Sequence, residues 1–392
     1  VKNLRSLNNP YRDDKVFEGC AIFALLNQAG RNVSGEPVFR AISNMRNRGN
    51  GLGGGFAIYG IYPEYAEHYA LQVMFDDPLA REEVESYLKG RFEVADEEEV
   101  PTRKTQAVDH PPQVFRYFLS PRAGWMDDVT EDERVIRAVM DINTGIKDAF
   151  VFSSGKNMGV FKGVGHPETI AEYFRLDEYR GYLWTAHSRF PTNSRAWWGG
   201  AHPFSILDWT VIHNGEISSY GINRRYLEMH GYACTLETDT EVLAYIVDLL
   251  ARRQRLPMSL VTKIMAPPLW EEIERMKEPE RSELIKLRQI YSSLLVNGPF
   301  ACVIAHHGEM IGLNDRIRLR PMTAGIGGEN LYISSEEASI RLVCPELDEF
   351  WSPQGGDPIV GRVKPESPEI FEPARPEVSD EDRAGLKAGG RV

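Results

Sequence analysis

Short apolar runs separated by turn residues recur along most of the chain, and their spacing predicts alternating strands and helices. The first run, residues 20–26, is unbroken and reads as a buried strand. Val38, Ala41, Ile42 and Met45 then fall at i, i+3, i+4 and i+7, with Pro37 suited to a first helical position, so a helix follows. A glycine-rich turn over 47–55 leads into a second strand at Phe56. From about 61 to 147 the pattern changes. Strand-like stretches at 68–75 and 113–119 alternate with amphipathic helices around 82–89 and 131–142, which predicts an inserted α+β module. Strands are expected to resume at 149–152, 158–162 and 181–186, and 267–293 is charged and helical. Late strands at 300–305, 309–313 and 330–334 recur with turn residues between them, as in a layered antiparallel sheet. The stretch 363–392, rich in Pro, Glu, Gly and Arg, is expected to be a disordered tail.

A chain of 392 residues has room for two or three domains, or for one large domain carrying an insertion. With 42% hydrophobic and 26% charged residues it is neither wholly disordered nor collagen-like. The net charge of -12 argues against a broad electrostatic grip on nucleic acid or anionic membranes, leaving small molecules and protein partners. The most apolar stretch, around 242–250, is interrupted by Asp248 and falls far short of the roughly 20 residues that cross a bilayer. Residues 1–18 are polar and lack a signal-type apolar segment, so a cytoplasmic location is expected. Four cysteines, Cys20, Cys234, Cys302 and Cys344, lie far apart with no C-x-x-C pair, and no disulfide framework, zinc site or iron–sulfur site is expected in this chain. A G-x-G-x-x-G match at Gly49, Gly51 and Gly54 follows a helix and precedes a strand, the reverse of the order a dinucleotide site requires.

Four short stretches carry candidate chemistry: Glu18-Gly-Cys20; the run from Thr185 through His187-Ser-Arg189 to Ser194, with His202-Pro-Phe204 after it; Val211 through His213-Asn-Gly215 to Ile217; and Thr238-Asp-Thr-Glu241. Each has an ordinary structural reading. A cysteine opening an apolar strand is usually a core residue, Arg189 suits a structural salt bridge, and Asn214-Gly215 suits a hairpin turn. Thr238 and Glu241 have capping-box spacing, with Leu243, Ile246, Val247 and Leu250 as the apolar stripe behind, and Asp239 suits the positive end of that helix.

Taken in order, the four stretches resemble the glutaminase domain of class II glutamine amidotransferases, in the N-terminal-nucleophile hydrolase superfamily. The His-Ser-Arg-Phe-x-Thr-Asn, His-Pro-Phe and His-Asn-Gly-Glu-Ile runs look most like glutamate synthase, and the likeness spans most of 20–362. Two departures stand out: Asn47 occupies the usual histidine of a His-Arg-Gly element, and Thr238-Asp-Thr-Glu is closer to the phosphoribosyl and glucosamine branches. Residues 312–321 resemble the family's Asp-Arg-x-x-Leu-Arg-Pro element and 334–337 its following strand end.

The resemblance implies an α+β fold, a four-layer αββα sandwich interrupted by the insertion at about 61–147. Cys20 would be the nucleophile and its own free α-amine the base, with a reference pKa of about 8 suited to proton transfer at neutral pH. That amine exists only if the Gly19–Cys20 bond is broken, which makes residues 1–19 a propeptide. The side-chain amide of Asn214 and the N–H of Gly215 would stabilise the oxyanion, Arg189 would grip the substrate α-carboxylate, and Asp239 would pair with its α-ammonium. L-glutamine is then the ligand, with no cofactor in this chain and with FMN and iron–sulfur clusters on partner subunits of a split glutamate synthase. Transfer to another acceptor, such as methylamine-glutamate transfer, and a catalytically silent glutamine-binding regulatory subunit are the alternatives. His187, His202 and His213 are expected to be structural; Trp197 and Trp198 would either cover the substrate or pack in the core.

Overall fold

The computed structural model describes residues 19–108, 110–191, 196–236 and 238–364. All of the expected propeptide except Gly19, and all of the expected tail beyond Lys364, lie outside the described residues. Two antiparallel sheets face each other. The larger has seven strands, in the order Glu349–Trp351, Thr323–Gly327, Asn330–Ser334, Ala21–Asn27, Leu183–Ser188, Gly54–Tyr59 and Met158–Gly163. The smaller has five, in the order Phe204–Ile206, Trp209–Gly215, Phe300–His306, Glu309–Asn314 and Ile359–Arg362. The strand Ala21–Asn27 is buried throughout because one face meets the second sheet and the other meets helices, which is why its sequence is continuously apolar instead of alternating. Tyr59 spans the interface: its hydroxyl donates to the carbonyl of Ala305 at 3.0 Å and shares a hydrogen bond with Thr210 at 2.8 Å.

Helices Glu36–Asn44, Pro167–Tyr173 and Glu337–Val343 pack on the outer face of the seven-stranded sheet. Tyr220–Met229 and Asp239–Val247 form the layer behind the five-stranded sheet, giving the αββα order that the resemblance implied. The helix Asp239–Val247 carries no polar face, since every residue from Thr240 to Val247 is buried, so the expected stripe is only part of its contact surface. Among the described residues no helix is long and apolar enough to cross a membrane.

A separate four-stranded sheet, in the order Phe92–Glu99, Gln113–Pro121, Tyr69–Phe75 and Ala149–Ser153, carries the helices Pro78–Lys89 and Glu131–Gly145. Two features depart from the sequence reading. Ala149–Ser153 pairs with Tyr69–Phe75 in this sheet and does not rejoin the sandwich. Phe92–Glu99 is a strand that the pattern missed, because five of its eight residues are acidic and nearly all are exposed. It lies at the sheet edge, where charge discourages pairing with another chain.

Candidate active site

Cys20 immediately precedes the central strand Ala21–Asn27 and is half-buried. Its Sγ accepts a hydrogen bond from the Phe190 N–H at 3.3 Å, and its carbonyl accepts from Arg48 Nε at 3.0 Å. Ser335 fixes the start of the strand: its Oγ accepts from the Ile22 N–H at 3.1 Å and its N–H donates to the Ile22 carbonyl at 3.0 Å. Burial raises the Cys20 pKa above the usual thiol value, against the Phe190 N–H and the Arg189 charge, which favour the thiolate, while Asp239 opposes it. The thiol therefore stays protonated near neutral pH and needs a base to become a nucleophile.

The second sheet delivers Asn214 and Gly215 at the end of Trp209–Gly215, in a strand and not in the hairpin turn the dipeptide suggested. Asn214 is fully buried, and its Nδ2 points to Ser335 Oγ at 3.5 Å, the same hydroxyl that holds the strand behind Cys20. Its Oδ1 has no hydrogen-bond partner. Gly215 has φ +145, and a Cβ there would stand 1.9 Å from the Pro299 carbonyl oxygen, so a side chain is excluded.

Arg189 follows the strand Leu183–Ser188 and is 3% exposed. Its N–H donates to the Gly53 carbonyl at 2.8 Å, and a Cβ on Gly53 would lie 2.9 Å from Arg189 Cδ. The glycine-rich turn thus lets the arginine lie close against the backbone, a role unrelated to nucleotide binding. Burial lowers the Arg189 pKa, while Cys20 and Asp239 raise it, which places the three ionisable groups within electrostatic reach of one another. Asp239 opens its helix; Oδ2 accepts from the Ile217 N–H at 3.1 Å, and Oδ1 lies 3.5 Å from His213 Nδ1. Burial pushes its pKa upward, but His213, the Ile217 N–H and Thr240 outweigh it and hold the carboxylate ionised.

The three motif histidines form one buried cluster around Thr240. His202 Nε2 lies 2.6 Å from Thr240 Oγ1 and His213 Nδ1 3.2 Å from it; His187 Nε2 lies 2.9 Å from the His213 carbonyl, and the His187 and His202 rings stack at 3.9 Å. Burial drives the His187 pKa down to about 3 and that of His202 well below its usual value, so both are neutral. They join the Arg189 strand, the Asn214 strand and the Asp239 helix. Trp197 packs edge-on against Phe150 at 5.3 Å, and Trp198 against Tyr173 at 5.7 Å.

Of the five residues singled out from the sequence, Arg189 and Asp239 lie within electrostatic reach of Cys20, while Asn214, with Gly215 next to it, is tied through Ser335 to the strand that Cys20 precedes. The sequence reading missed Ser335 as the link between sheets, although 334–337 had been noted. It also missed Thr240 as the centre of the histidine cluster and the buried Lys162; a lysine closing the apolar run 158–162 was the available signal. The capping box is half formed: Thr238 Oγ1 accepts from the Glu241 N–H at 3.3 Å, but the Glu241 carboxylate turns instead to the N–H groups of Thr235 and Leu236.

The family model described as glutamine amidotransferases class-II matches residues 72–346, a span that takes in Arg189, Asn214, Gly215 and Asp239 but begins after Cys20. An uncharacterized protein of Archaeoglobus fulgidus is 56% identical over 361 residues, covering 91% of this chain and 96% of that one. A putative glutamine amidotransferase of Methanothermobacter thermautotrophicus is 24% identical over 330 residues, covering 83% and 93%. The solved structure of the glutamine phosphoribosylpyrophosphate amidotransferase of B. subtilis aligns with a TM-score of 0.44 at 15% identity, over 88% of this chain and 47% of that one. With the family model matched over well more than half its length, this chain belongs to the class II glutamine amidotransferases.

Proposed function

We propose that the chain hydrolyses the side-chain amide of L-glutamine to glutamate and ammonia, with Cys20 as nucleophile, and passes the ammonia to a synthase partner. The observation that carries this reading is that two opposite charges, the buried guanidinium of Arg189 and the partly exposed carboxylate of Asp239, lie within electrostatic reach of the Cys20 thiol. Arg189 takes the α-carboxylate and Asp239 the α-ammonium, which holds the substrate amide over Cys20. The thiolate attacks the amide carbon, and the Asn214 amide and the Gly215 N–H stabilise the resulting oxyanion. Collapse of the adduct breaks the C–N bond, the proton taken from the thiol goes to the leaving ammonia, and water then cleaves the thioester to release glutamate. The proton carrier is the Cys20 α-amine, freed by cleavage of Gly19–Cys20; a buried thiol with a raised pKa needs such a base beside it.

The acceptor we favour is a glutamate synthase whose FMN and iron–sulfur clusters sit on separate subunits, on the strength of the His-Ser-Arg-Phe and His-Asn-Gly-Glu-Ile runs. The test is to purify the protein from its native host, determine its N-terminus, and assay glutamine consumption with and without 2-oxoglutarate and co-purified subunits. Cys20 as the first residue and glutamine turnover raised by 2-oxoglutarate are expected. Full activity with residues 1–19 still attached rejects the α-amine as base. A complex with an enzyme using another acceptor rejects glutamate synthase and leaves the glutaminase in place.

A further inference from the structure

Two ionisable side chains in the interior have no part in the chemistry above: Lys162 and Glu241, each 1% exposed. Lys162 Nζ donates to the carbonyl oxygen of Gly199 at 2.9 Å and to that of Pro203 at 3.2 Å, and it lies 4.4 Å from the centre of the Phe204 ring. Both carbonyls belong to the chain that runs from Arg189 to the strand Phe204–Ile206. The residue after Gly199 sits directly under the substrate-binding arginine: a Cβ on Gly200 would be 3.2 Å from Arg189 Nη1. The lysine therefore holds the floor on which the guanidinium rests.

Glu241 does the corresponding work on the other side. It lies two residues beyond Asp239, and its carboxylate accepts from the N–H groups of Thr235 at 3.0 Å and Leu236 at 2.9 Å and from the Tyr245 hydroxyl at 3.2 Å. This ties the first turn of the helix to the segment that enters it. Lys162 and Glu241 line the same cavity, of about 10 Å³, walled by Phe152, Phe204 and Tyr245, which is room for about one water. Burial draws the lysine down to about 7 and pushes the glutamate up to about 7, and each charge favours the other.

We propose that Lys162 and Glu241 are positioning residues that act across this cavity to set the separation of Arg189 and Asp239, and with it the affinity for the amino-acid end of glutamine. The inference rests on the reading of Arg189 and Asp239 as the substrate clamp. Neither Lys162 nor Glu241 touches the substrate; each acts through backbone it holds in place.

The experiment compares Lys162→Met, Glu241→Gln, the double variant and Arg189→Lys for KM and kcat with glutamine and for thermal unfolding. Lys162→Met is expected to raise KM about tenfold with kcat within about threefold, since the clamp binds ground and transition states alike. Replacing one of two facing buried charges is more damaging to folding than replacing both. The double variant should therefore regain stability while its KM stays high, which separates positioning from general stabilisation. Should Lys162→Met fail to fold, the near-isosteric Glu241→Gln carries the test, with an expected rise in KM of about threefold. An unchanged KM in the folded single variants, or a KM that recovers together with stability in the double variant, overturns the inference. An unchanged KM in Arg189→Lys rejects the clamp and this inference with it, whereas a raised KM there beside an unchanged KM in the Lys162 and Glu241 variants rejects only the inference.

Discussion

The separate four-stranded sheet and the two facing sheets treat polar side chains differently. In the former, the long polar groups that are buried point toward the rest of the molecule: Gln72 Oε1 accepts from the Val160 N–H at 2.8 Å, and Arg116 donates to the Tyr62 hydroxyl at 2.7 Å. The first covers the edge strand Met158–Gly163 of the sandwich, and Arg116 also pairs with Glu98 on the neighbouring strand of its own sheet. In the sandwich, His187, His202, His213 and Thr240 are buried in one cluster and Asn214 and Ser335 form a buried hydrogen-bonded pair, and several of their atoms lack a protein partner. Buried polar atoms without partners cost free energy. Unpartnered atoms also occur in the four-stranded sheet, at Gln72 Nε2 and Arg116 Nε, so what sets the sandwich apart is that its buried polar side chains gather into a cluster of stacked and hydrogen-bonded imidazoles instead of standing singly.

The sharpest way to break that contrast is at the thiol. Cys20→Ala is expected to reduce glutamine hydrolysis by more than about 10⁴-fold, as loss of a nucleophile does elsewhere. Cys302→Ala, at a residue buried in the second sheet, should retain kcat and lose only packing stability, with both variants checked by steady-state ammonia release. Equal losses would remove Cys20 from its role. Next in size is Asn214→Ala, expected to lower kcat about 10²–10³-fold with little change in KM, the behaviour of an oxyanion donor. A KM effect alone would move Asn214 to substrate binding.

On the other side of the comparison, Leu119→Ala opens a cavity in the apolar face of the four-stranded sheet and should cost about 2–5 kcal/mol in urea unfolding. KM and kcat of the folded fraction should stay within about twofold of the parent. A large kinetic effect would show that this sheet shapes the site. The smallest expected effect concerns pH. The native His187 and His202 are held neutral, with pKa values depressed by burial, so the unfolded chain binds more protons than the native one below about 6.5. Their contribution is complete above that pH and is lost as pH falls toward the native pKa values. The urea midpoint should therefore drop between pH 7 and pH 5 and become less pH-sensitive in a His187→Gln variant; an unchanged pH dependence would mean that other groups govern acid unfolding.

Most elements of the sandwich were legible because local pattern and tertiary role agree. The run 20–26 is apolar on both faces, and Val38, Ala41 and Ile42 fill one face of the helix Glu36–Asn44. Agreement failed at Phe92–Glu99, where pairing with Gln113–Pro121 supplies the backbone hydrogen bonds and no apolar alternation is needed. It failed again at Asn214-Gly215, where a turn-forming dipeptide ends a strand because Gly215 must clear the Pro299 carbonyl.

The sequence by itself determined which residue types stand in which order: a cysteine before a buried strand, an arginine and an aspartate in separate motifs, and an asparagine followed by glycine. Those identities sufficed to nominate Cys20, Arg189, Asn214, Gly215 and Asp239, since the chemistry of a thiol, a guanidinium or a carboxylate belongs to the residue. Only the tertiary structure decided that Ser335 joins the two sheets, that His202 and His213 meet at Thr240 with His187 stacked on His202, and that Lys162 lies under the Arg189 loop across a cavity from Glu241. The reason is physical. Lys162 and Glu241 are 79 positions apart along the chain, and their burial and mutual influence depend on distance and dielectric, which exist only once the sheets and helices have closed around them.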